Sequence, residues 1–198
     1  MKTLFIILAL VSTLYAEKEV HIGTHTFTLI EESYNEYGDK GMTMALYAKD
    51  VNASKSRKLS FLLRNESGAC SDKNVEEGHY IIKKDSITFY SHWKRSRSTD
   101  NMPIGDRIQV YKVNKDGSFY LSDSKIYVER TTRNEDADEG MQYLYTEAKT
   151  EAEKLLLEEY VASVENIFKA KFVMGEESNV LAKEVHRVLM EKQKQKWK

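Results

Sequence analysis

The sequence predicts an α+β protein, in which an antiparallel β-meander of about seven strands, closed into a barrel or folded into a sandwich, is followed by a C-terminal helical hairpin. Three observations carry that expectation. Short runs between Thr24 and Val128 alternate apolar with polar residues, which is the period of a half-buried strand. Turn-forming residues separate the runs, with no helical stretch between them. Past Arg133 the composition shifts to Ala, Leu, Glu and Lys, and the spacing of apolar residues changes to three or four.

The chain opens with Met1-Lys2-Thr3, an uncharged apolar run from Leu4 to Val11, and the small residue Ala16 after Leu14-Tyr15. This is the pattern of a cleavable export signal over residues 1–16. The run is short for a spanning helix, which needs roughly 20 apolar residues, and Glu17-Lys18-Glu19 ends it. The expected mature protein is therefore a soluble exported chain, periplasmic in a Gram-negative bacterium and secreted otherwise. It divides into a β domain over 17–133 and a helical region over 134–198. The 30 basic and 31 acidic residues nearly balance, which argues against nucleic-acid binding. A single cysteine, Cys70, excludes an intramolecular disulfide framework.

Threonine alternates with Phe27 and Leu29 in the first strand, from Thr24 to Ile30. Tyr37 to Gly41 turns the chain into a second strand with Met42, Met44, Leu46 and Ala48 in phase. Leu59, Phe61 and Leu63 mark a third strand over 57–64, and a polar loop from Asn65 to Gly78 follows. His79 to Lys83 and Ile87 to Trp93 form a hairpin around Lys84-Asp85-Ser86, with Tyr80, Ile82, Ile87, Phe89 and Trp93 on its core face. A basic loop-like stretch from Lys94 to Asp106 leads to the last hairpin, Arg107 to Val113 with Ser118 to Val128, whose turn carries Asp116-Gly117. The spacing then predicts a helix from about 138 to 172, roughly 50 Å long. Gly175 stops it, and Ser178 or Asn179 caps a second helix bearing Leu181, Val185, Val188 and Leu189.

Several side chains are candidates for chemistry. His79 and His92 share the face of their hairpin opposite the core and could begin a zinc or copper site, although a catalytic zinc needs a third ligand that the local sequence does not offer. If the turn is Asp85-Ser86 they sit directly opposite each other, and if it is Lys84-Asp85 they are diagonal neighbours. Cys70, in the small-residue run Ser67 to Asp72, could present a reactive thiolate if a histidine lay near. Trp93 with Lys94, Arg95 and Arg97 could meet a protein or another anionic partner. Lys192, Lys194, Lys196 and Lys198, with Trp197, fit either a peripheral membrane contact or ordinary cations at a helix C-terminus. A helix longer than the β domain is wide must overhang, and its apolar stripe allows self-association.

No phosphate loop, nucleophile elbow or helical zinc-protease motif occurs, and the sequence implies no cofactor. The favoured reading is an exported, non-catalytic binding or interaction protein. A carrier holding an apolar small molecule in its barrel comes next, and a metal- or thiol-dependent hydrolase last.

Overall fold

The computed structural model describes residues 16–36, 39–48, 58–67, 74–95, 105–128, 131–133, 142–144 and 150–196. Its main element is a nine-stranded sheet. Eight strands follow one another as an antiparallel meander: β1 (Ala16–Ile22), β2 (His25–Glu36), β3 (Asp39–Ala48), β4 (Lys58–Ser67), β5 (Asn74–Ile82), β6 (Ser86–Arg95), β7 (Gly105–Val113) and β8 (Phe119–Val128). A small ladder pairs β9 (Thr131–Arg133) with β10 (Gln142–Leu144). Helix α1 (Glu151–Phe168), strand β11 (Lys171–Phe172) and helix α2 (Glu176–Lys196) complete the chain, and β11 joins the sheet in parallel beside β8. The α+β class, the antiparallel meander and the C-terminal helical pair agree with the sequence reading; the sheet itself is not closed.

Curling brings distant strands together around one core. Ile22, Phe27, Met44, Leu46 and Ile87 have no exposed surface. Phe27 of β2 meets Phe119 of β8, and Phe61 of β4 stacks on Phe89 of β6. Tyr80 of β5 donates to Glu31 of β2 at 2.8 Å, and burial, reinforced by that bond, pushes the phenol far above its ordinary titration range. At one end the turns converge, since the Gly23 amide donates to the Lys84 carbonyl at 2.7 Å. Two bulges sharpen the curl, at Met42/Thr43 between β3 and β4 and at Val110/Tyr111 between β7 and β8. Leu63, the extra residue of the first bulge, is almost fully buried.

The Asp-Gly turn forms as expected. Asn114 and Ser118 close it through a 2.8 Å backbone bond, Asp116 accepts from the Ser118 amide at 3.0 Å, and Gly117 takes φ 79°, a conformation other residues resist.

Other expectations need revision. Glu17 to Ile22 alternates as a strand and forms β1, an edge that the seven-strand count omits. The polar loop after Arg64 is shorter than expected, because Asn65 to Ser67 pair with Glu76 to Asn74 across it. Similarly β6 runs on through Lys94 and Arg95, which pair with Val75 and Asn74. The long helix is divided. Residues 142–144 pair as a strand, and α1 ends at Phe168, where Lys169 turns left-handed at φ 50°. That break is held by tertiary bonds: the Phe172 amide donates to the Glu165 carboxylate at 2.9 Å, and the Val173 amide to the Ile126 carbonyl at 2.9 Å. Helix α2 starts at Glu176, ahead of Ser178, whose hydroxyl donates to the Gly175 carbonyl instead.

Both helices pack apolar side chains on the sheet. Leu189, Val188 and Val185 of α2 pack on Tyr90, Ile81 and Ile108 of the outer face. Val164 and Phe168 of α1 join Trp93, Ile126, Val128 and Phe172. Among the described residues no helix is long and apolar enough to cross a membrane.

Candidate functional site

The two-residue turn at Lys84-Asp85, closed by a 2.8 Å bond from the Lys83 amide to the Ser86 carbonyl, decides the register of the β5–β6 hairpin. His79 then lies opposite Tyr90, and His92 opposite Glu77, so the two histidines are diagonal neighbours. Each imidazole has a different ring beside it. His79 lies against Tyr80, whereas His92 meets His186 of α2 with centroids 5.7 Å apart and planes at 74°. His92 also pairs with Asp106 of β7, Nδ1 to Oδ1 at 2.9 Å, and both side chains are largely covered. His186 is exposed at the flank of α2. The sequence offers His186 no ligand at the i±4 positions, which are Ala182 and Met190, and its neighbour comes instead from a strand that only the docking of α2 brings close.

On the inner face, at the end of the sheet away from the converging turns, a second polar cluster forms. The Arg107 guanidinium lies between Trp93 and Phe168, 5.2 and 5.6 Å from their ring centroids. Burial depresses its pKa, while nearby Glu76 opposes that shift. Burial likewise raises the Glu76 carboxyl against the pull of Arg107 and of the Trp93 indole, which donates to it. Trp93 therefore packs inward. Lys94 and Arg95 continue β6, and Arg97 and Cys70 lie outside the described residues.

The third feature is a groove along α1, lined by Lys154, Leu157, Glu158, Val161, Ala162, Glu165 and Met174. Leu155 and Met174 border it in solvent, 62% and 48% exposed. On the other flank Leu156 and Ile167, eleven residues and three turns apart, form a second exposed apolar line. At the opposite end of the chain Lys192 is drawn inward, its ammonium donating to the Gly78 carbonyl at 3.2 Å, while Trp197 and Lys198 lie outside the described residues.

These arrangements differ in what they can do. Among the described residues no group of three or more His, Cys, Asp or Glu could hold a metal ion. The Arg107 cluster is an interior brace whose cation already faces two rings and a carboxylate. The groove offers apolar surface between charged rims, which suits association. Comparison of the chain with protein-family models, with curated proteins and with solved structures returns no match.

Proposed function

We propose that this is an exported, non-catalytic interaction protein, and that the groove of α1 is its contact surface, taken in the first instance by α1 of a second copy. Export rests on the leader pattern of residues 1–16. The observation that carries the contact surface is the exposure of Leu155 and Met174 beside a helix whose other face is already buried on the sheet.

Charge complementarity favours a second copy as the occupant. If two α1 helices lie antiparallel about a two-fold axis between Glu159 and Tyr160, Lys154 of one copy faces Glu165 of the other, and Leu157 faces Ala162. Lys154 gives up only an exposed pair with Glu151, an interaction worth about 1 kcal/mol or less. The carrier reading has less support, because side chains that would line a carrier's cavity touch one another instead, as Phe27 does Phe119 and Phe61 does Phe89.

Sedimentation velocity over a range of concentrations tests the proposal. A reversible dimer is expected, with Ala162→Arg, which fills the groove from an exposed position, returning the chain to monomer. A wild-type chain that remains monomeric at the highest concentration overturns it, as does a dimer that Ala162→Arg leaves intact.

A further inference from the structure

The register of the sheet places His92 between two carboxylate residues, Glu77 on β5 and Asp106 on β7. Asp106 accepts a hydrogen bond from His92 Nδ1 at 2.9 Å. An ionised carboxylate can only accept, so Nδ1 carries the donated proton, and in the neutral ring this leaves the Nε2 lone pair to another partner. A carboxylate behind a histidine in this way is the usual support of a metal-binding imidazole, since it fixes the ring and raises the basicity of the far nitrogen.

The second imidazole comes from α2. Two rings that each bind one ion at about 2.0–2.1 Å have centroids roughly 5–6 Å apart, and His92 and His186 lie at 5.7 Å. Arg187, next to His186, is paired with Glu191 at 3.0 Å, which offsets its repulsion of a cation. We infer that His92 and His186 together bind one borderline divalent cation of the zinc class, with Asp106 orienting His92. Water completes the coordination, since no third protein ligand is in place among the described residues. The ion joins β6 to α2. It acts as a clamp on the docked helix, and this site is independent of the α1 groove.

Calorimetric titration of zinc chloride into the Cys70→Ser chain, which removes the single thiol, reads the site directly. One ion per chain is expected. His186→Ala, a change at an exposed position, lowers the affinity tenfold or more, and Asp106→Asn lowers it by about 10-fold. His21→Ala and His25→Ala leave it unchanged. A second readout separates a clamp from a surface contact: zinc at about a hundredfold excess over its Kd raises the unfolding temperature by roughly 5 °C, and His186→Ala at the same zinc concentration cuts the rise to about half or less. The inference is overturned by a lack of saturable binding, by wild-type affinity in His186→Ala, by loss of binding in the His21 or His25 variants, or by an unfolding temperature that zinc does not move.

Discussion

Helices α1 and α2 have similar lengths, 18 and 21 residues, but opposite relations to the sheet. The more polar helix is the better buried. In α2 Leu181, Val185, Val188 and Leu189 are all covered while Val180 and Met190 stay exposed, and polar bonds pin both ends. Glu177 binds Lys125 and Lys171 at 3.0 and 3.4 Å, and Lys192 reaches the Gly78 carbonyl. The more apolar α1 spreads its Leu and Ile residues around the helix, so a single docking face covers Val164 and leaves Leu155, Leu156 and Ile167 outside. Each helix therefore has a covered and an exposed apolar set, and the difference lies in what is covered: four Leu and Val residues of α2 are buried, against Val164 of α1.

The largest expected effect breaks this comparison at its buried end. Val185→Asp places an unpaired carboxylate where no surface is exposed and should lower stability by about 4 kcal/mol or more in urea titration. Leu155→Asp, the matching change on α1, should stay within about 0.5 kcal/mol of wild type while removing the dimer. Equal destabilisation by the two would erase the distinction. Phe168→Ala sharpens it from within α1, because that ring covers Arg107; a loss of about 3 kcal/mol is expected, which would show that only the C-terminal half of the helix belongs to the fold.

The smallest effect concerns pH. Hydrogen bonding to Lys125, then to Lys171, holds the exposed Glu177 carboxyl below its ordinary value. A depressed folded-state pKa stabilises above the unfolded value of 4.5, and the benefit disappears as pH falls through the folded value. Wild type and Glu177→Gln should therefore differ in unfolding midpoint at pH 7 and converge on strong acidification. A difference that grows on acidification would have the wrong sign.

Much of the sheet was legible because alternation and turn chemistry are local signals: Phe27/Leu29, Met44/Leu46 and Asp116-Gly117 each announce their element without reference to the rest of the chain. Glu17 to Ile22 was harder, since only Val20 and Ile22 are buried in a strand whose other side chains are mostly charged. The end of α1 was illegible for another reason: Lys169 is no helix breaker, and the bonds that stop the helix come from residues on β8 and from the Glu165 side chain. The same holds for the histidines. Hairpin geometry could place His79 beside His92, but His186 lies 94 residues further on, and no local pattern encodes that meeting. Lys94 and Arg95 after Trp93 suggest a basic surface with an aromatic at its edge, whereas the ring turns inward to Arg107.

Hydrogen exchange followed by mass spectrometry at two protein concentrations tests the central contrast most directly. Amides of α2 around Val185 to Leu189 should exchange slowly and identically at both concentrations, as expected of a helix integral to the folded core. Amides of α1 from Glu151 to Ala162 should exchange rapidly in dilute protein and become protected in concentrated protein as the groove is filled. Protection of α1 that does not depend on concentration, or exchange of α2 as fast as that of α1, would contradict the account.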